Sequence, residues 1–140
     1  MNKILFIDDE PRTEAAVRYF RIVHDISIDW IDDAEEALKK IKEEPYSTII
    51  LDIMMPVLSN SAISYKDIKN INGLSTGEIL LLLIRRHYSE VGWQIPQFIF
   101  CSAKSKDNME SNLEEKKDYL CYLQKPYDII ELYALLTNKK

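Results

Sequence analysis

Short apolar runs alternate along this chain with longer stretches in which apolar positions recur every three or four residues. The most uniform run is Thr48-Ile49-Ile50-Leu51, which predicts a strand buried on both faces; it stops at Asp52, shortly before Pro56. Lys3 to Ile7 predicts a first strand, broken by Asp8-Asp9-Glu10, after which Pro11 suits the first turn of a helix with Ala15, Ala16, Tyr19, Phe20 and Val23 at helical spacing. Ile26, Ile28 and Trp30, extending toward Ile31, alternate with Ser27 and Asp29 and predict an edge strand with one wetter face. Asp32 or Asp33 then caps a helix carrying Ala34, Ala37, Leu38 and Ile41, which Pro45 ends.

The pattern dissolves beyond Pro56. Residues 57–76 form an insertion too long for an ordinary connection, yet Ile63, Tyr65, Ile68, Ile71 and Leu74 are too apolar for a freely solvated linker, so partial docking is expected. A helix is predicted over 76–88, a fourth strand over 97–101 closed by Ser102, and a thinly apolar helix over 104–117. A fifth strand over 119–123 leads through Gln124-Lys125-Pro126 to a final amphipathic helix from Ile129 to Leu136. Strand and helix thus alternate five times, which predicts an α/β domain: a parallel sheet with helices on both faces and right-handed crossovers.

Length and composition suit one soluble domain, residues 1–140. The net charge of −5 speaks against sequence-blind phosphate binding, so no nucleic acid is expected. The absence of a membrane-length apolar run or a signal-peptide pattern predicts a cytoplasmic protein with no membrane partner. Cys101 and Cys121 lie in apolar surroundings and are expected to be reduced; with His24 and His87 the only histidines, no zinc spacing appears.

In the predicted sheet the strand ends bring together Asp8 and Asp9 after the first, Asp52 after the third, Ser102 after the fourth and Lys125 after the fifth. Three carboxylates repel one another unless something positive joins them, and all-oxygen ligands favour a hard cation such as Mg²⁺. Such a cation neutralises charge on an incoming phosphoryl group and lets a carboxylate attack phosphorus, while a lysine and a hydroxyl supply further donors. The set is coherent as an aspartyl-phosphate site. Each residue also has a plainer role: Asp9 or Glu10 at a helix N-terminus, Ser102 as a cap, Lys125 in solvent, Tyr122 in the core.

Ile4-Leu5-Phe6-Ile7-Asp8-Asp9-Glu10, Leu51-Asp52-Ile53-Met54-Met55-Pro56, Cys101-Ser102-Ala103-Lys104 and Tyr122-Leu123-Gln124-Lys125-Pro126-Tyr127 resemble, in order and spacing, the signatures of response regulator receiver domains from two-component signalling. The resemblance implies a flavodoxin-like doubly wound sheet of order 2-1-3-4-5 with five helices. It implies Asp52 as phosphoacceptor, served by a histidine kinase or histidine phosphotransfer protein. Mg²⁺ is expected on Asp9, Asp52 and the backbone carbonyl of Met54, with Asp8 acting through water. Lys125, before a cis Pro126, and Ser102 are expected at the phosphoryl group. Tyr122 is expected to turn inward with that hydroxyl, changing the face of the fourth helix, fifth strand and fifth helix that binds a downstream protein; a homodimer on phosphorylation is a further partner that the resemblance allows. Met54 and Lys104 border the path of hydrolytic water. The insertion after Pro56 departs from the family pattern and bears on kinase recognition.

The resulting expectation is a stand-alone receiver that catalyses its own phosphorylation and slow dephosphorylation, with no enzymatic activity on an external substrate. The alternatives are a pseudo-receiver acting as a constitutive interaction module, and a small Mg²⁺-dependent phosphohydrolase. Mg²⁺ binding separates the first from a working switch, and turnover of a phosphoester would mark the second.

Overall fold

Strand β1 (Lys3–Ile7) lies between β2 (Ser27–Ile31) and β3 (Thr48–Asp52), and β4 (Gln97–Ser102) and β5 (Leu120–Gln124) continue the sheet in the order β2-β1-β3-β4-β5. Every pairing is parallel. The computed structural model describes residues 3–52, 76–102 and 120–137. The predicted 104–117 helix, the insertion as far as residue 75, Met54 and Lys104 lie outside these residues. Four of the five predicted helices are described: α1 (Thr13–His24), α2 (Ala34–Glu43), α3 (Thr76–Val91) and α4 (Ile129–Thr137).

Alternation along the strands divides the core in two. Leu5, Ile7, Ile49, Leu51, Phe98 and Phe100 point to one face and pack with Ala37, Leu38 and Ile41 of α2 and Leu80, Leu81, Ile84 and Tyr88 of α3. Ile4, Phe6, Ile50, Ile99 and Cys101 point to the other and meet Val17 and Phe20 of α1 and Leu132 of α4. Because β1, β3 and β4 are covered on both sides, they are apolar at nearly every position. β2 is the edge strand anticipated from its mixed pattern.

Local chemistry sets the helix ends. Asp33 caps α2 by accepting the Glu36 N–H at 3.0 Å. α1 begins two residues after Pro11, which lies in the preceding turn, and closes at Asp25 in the left-handed region (φ 53°), whose N–H reaches the Phe20 carbonyl. Its buried stripe is Ala16, Val17 and Phe20, whereas Ala15, Tyr19 and Val23 are exposed. α3 runs past the expected Tyr88 to Val91, and Gly92 (φ 78°) supplies the left-handed residue beyond its end. At the amino ends of the strands, the Tyr46 N–H donates to Tyr88 Oη at 2.7 Å, both rings being buried. That contact ties the entry to β3 to the last turn of α3.

Candidate functional site

All the acidic residues singled out above stand at the carboxyl ends of strands. Asp52 is the last residue of β3 and Asp8 follows β1; both are buried, whereas Asp9 is exposed. One carboxylate oxygen from each of Asp8, Asp9 and Asp52 can be chosen so that the three lie within 4.8 Å of one another. Parallel pairing produces this convergence, because Ile7 of β1 is in register with Leu51 of β3, so that the next residues, Asp8 and Asp52, lie at the same end of the sheet.

Lys125 follows β5 and supplies the positive charge. Its Nζ is 2.7 Å from Asp8 Oδ2 and 3.4 Å from Asp52 Oδ2. Burial pulls the ammonium toward neutrality, but the contact with Asp8 and the charges of Asp8 and Asp52 outweigh it, and the Lys125 pKa lies above the ordinary lysine value. The Lys125–Pro126 peptide is cis, as expected. Nearby, burial raises the pKa of the Cys101 thiol and of the Tyr127 phenol, leaving both protonated. Beside the carboxylates a cavity of about 570 Å³ has Arg12, Lys125 and Tyr127 on its wall.

Backbone contacts hold the Asp8 turn. The Asp8 N–H donates to the Ile31 carbonyl at 3.1 Å, and Asp8 Oδ1 accepts the Glu10 N–H at 2.9 Å. The Asp8 carbonyl accepts the Trp30 indole N–H at 2.8 Å. Asp8 Oδ2 is buried, and Lys125 Nζ approaches it at 2.7 Å. Three converging carboxylates against one ammonium leave an excess of negative charge and make an all-oxygen donor set that fits a hard divalent cation.

Ser102 ends β4 with its backbone in register with Gln124, one residue before Lys125. Tyr122 is half-buried on the α2–α3 face of the sheet and meets the Phe100 ring edge-on, with centroids 5.9 Å apart. The structure therefore brings Asp8, Asp9, Asp52 and Lys125 into one cluster and places the Ser102 backbone beside it. The alternation of the sequence assigns Trp30 to a strand and nothing more. Its reach to the Asp8 carbonyl follows from the parallel register that sets it opposite Phe6, and no feature of the sequence signals it.

The sequence profile of the response regulator receiver domain matches residues 4–137. This chain belongs to that family. Over 137 residues the receiver is 28% identical to the transcriptional activator protein IrlR of Burkholderia pseudomallei, covering 97% of this chain and 49% of that protein. Over 54 residues it is 39% identical to the transcriptional regulatory protein ResD of Bacillus subtilis, covering 39% of this chain and 22% of that protein. The receiver spans about half the length, or less, of these curated relatives. Among solved structures it resembles a two-component response regulator from Clostridium difficile, with TM-score 0.65 and 23% identity over 99% of this chain and 94% of that one. It also resembles the response regulator TrrA of Thermotoga maritima in complex with Mg²⁺-BeF, with TM-score 0.64 and 24% identity over 99% of this chain and 98% of that one. These likenesses establish the fold, a CheY-like doubly wound sheet of order 2-1-3-4-5. No helix among the described residues is long and apolar enough to cross a membrane.

Proposed function

We propose that this receiver is a phosphorylation-driven switch whose phosphoacceptor is Asp52. An Asp52 carboxylate oxygen attacks the phosphorus of a phosphohistidine on a histidine kinase or phosphotransfer protein. The P–N bond breaks, its electron pair leaves with the imidazole, and an acyl phosphate forms. Water later cleaves that acyl phosphate, returning the Asp52 carboxylate and inorganic phosphate. Asp9, Asp52 and the Met54 carbonyl are the groups to hold Mg²⁺, with Asp8 acting through water; when bound, the ion offsets negative charge at the phosphoryl oxygens.

The observation that carries this reading is the convergence of the Asp8, Asp9 and Asp52 carboxylates beside the Lys125 ammonium. Lys125 needs only a short displacement from Asp8 to meet a phosphoryl oxygen on Asp52. In this reading the Ser102 hydroxyl joins it there and Tyr122 responds, while Met54 and Lys104 set the lifetime of the acyl phosphate. Output follows through a protein contact at the face of the predicted fourth helix, β5 and α4. The binding of Mg²⁺-BeF by TrrA supports the assignment by analogy.

Intact-mass measurement with a small acyl-phosphate donor, with and without Mg²⁺, tests the proposal. The native chain should gain a single phosphoryl group only when the metal is present, and Asp52→Asn should gain none. An adduct that persists on Asp52→Asn moves the acceptor elsewhere. A native chain that neither binds Mg²⁺ nor forms an adduct is the pseudo-receiver.

A further inference from the structure

Asp9 is exposed, and among the described residues its carboxylate makes no hydrogen bond or ion pair. Its position is therefore set by the backbone that carries it. That backbone includes the peptide joining Asp8 to Asp9, whose carbonyl oxygen belongs to Asp8 and whose N–H belongs to Asp9. The carbonyl is held by the Trp30 indole N–H at 2.8 Å. One peptide earlier, the Asp8 N–H is held by the Ile31 carbonyl at 3.1 Å. Two successive peptides of the turn are thus fastened to neighbouring residues at the carboxyl end of β2, an edge strand that contributes no carboxylate to the cluster.

We propose that Trp30 is a positioning residue for the acidic site: its indole N–H fixes the orientation of the Asp8–Asp9 peptide and with it the spacing of the two carboxylates on either side. The inference rests on the reading of this cluster as a divalent-cation site. A cation with strict octahedral demands tolerates little error in the placement of its oxygens. Groups that orient metal ligands from outside the coordination sphere typically contribute tenfold or more to affinity. Trp30 acts on the backbone between two of the carboxylates, so its loss should widen the range of positions Asp9 samples. Because the ring is half-buried against the α1–α4 face of the sheet, the donor is itself held in place by packing.

The chain contains two tryptophans, Trp30 and Trp93, and Trp93 serves as an internal control. It packs against Tyr88 and His87, at the far end of α3. In ¹⁵N-labelled native protein, titration with Mg²⁺ alone should shift the Trp30 indole resonance and leave that of Trp93 in place. By calorimetry, Trp30→Phe should bind Mg²⁺ about tenfold more weakly than the native chain, and Trp93→Phe should bind it unchanged. A folded Trp30→Phe with native affinity overturns the positioning role, as does a Trp30 resonance that stays still at saturating Mg²⁺. If Trp30→Phe does not fold, the native resonance decides alone. A native chain that binds no Mg²⁺ removes the cation-site reading and this inference with it; native binding and phosphorylation with an indifferent Trp30 remove only the inference.

Discussion

Lys125 pairs more closely with Asp8 than with the proposed acceptor, Nζ lying 2.7 Å from Asp8 Oδ2 and 3.4 Å from Asp52 Oδ2. One ammonium thus serves two buried carboxylates, with Asp9 close by. Lys125→Met should lower stability in metal-free buffer by about 2 kcal/mol, below the range for a fully buried pair because the lysine side chain keeps 22% of its exposure. Mg²⁺ should restore more stability to the variant than it adds to the native chain. Urea unfolding with and without the metal measures both effects; equal Mg²⁺ increments would show that Lys125 does not compensate the cluster.

Asp52→Asn should behave in the opposite way. It removes one of the mutually repelling carboxylates while Asp8 keeps its ion pair with Lys125, so the metal-free fold should gain about 1 kcal/mol. The stabilisation conferred by Mg²⁺ should shrink. Thermal melts across a Mg²⁺ series read this directly, and a variant less stable than the native chain without metal would contradict it.

Stability should fall as the solution becomes alkaline. Lys125 has a folded pKa raised above its ordinary 10.5, so its contribution is complete below that value and disappears as pH rises through the folded one. The phenols of buried Tyr46 and half-buried Tyr127 and the Cys101 thiol are also held protonated by the fold, chiefly by desolvation, against ordinary values of 10.0, 10.0 and 9.0. All four bind their protons more tightly when folded, so unfolding releases protons and the slope of stability against pH is negative from about pH 9 upward. Urea midpoints from pH 8 to 11 should decline throughout that upper range. A flat profile would show that these groups keep their ordinary affinities in the fold.

The opposite end of the sheet should be separable from the chemistry. Tyr88→Phe leaves the buried Tyr46 N–H without the oxygen it meets at 2.7 Å, at a cost of about 1 to 2 kcal/mol. Mg²⁺ affinity and phosphoryl uptake should not change, because Tyr46 precedes β3 whereas Asp52 ends it. Calorimetry and intact mass on the folded variant test the separation; a large fall in metal affinity would join the two ends.

Much of this architecture is legible from residues alone, because strands covered on both faces leave apolar runs that stop at carboxylates, as at Ile7 and Leu51. The Asp33 cap is legible for a similar reason: a short acceptor side chain precedes an amphipathic stretch. The strand order came from the resemblance, since periodicity does not say which strands are neighbours. α1 shows another limit. Ala15-Ala16-Val17, Tyr19-Phe20 and Ile22-Val23 are adjacent apolar pairs or triplets, so their spacing permits several stripes, and packing on β1 and β3 selects Ala16, Val17 and Phe20. The preference of Lys125 for Asp8 and the reach of Trp30 to the Asp8 carbonyl depend on distances between strands, which no local pattern encodes.

β3 is hydrogen-bonded on both sides, to β1 through Thr48–Leu51 and to β4 through Thr48 to Asp52. Amides enclosed in this way exchange with solvent only when a large part of the fold opens. The proposed nucleophile therefore ends a strand paired along both edges, as β1 and β4 also are, and these three central strands should exchange more slowly than the edge strands β2 and β5. Under the proposed function, a chemical change at Asp52 should therefore be felt more readily at the edge strands β2 and β5, paired on one side only, than along β3 itself; the anchor of the reaction and the part that yields to it would be different strands.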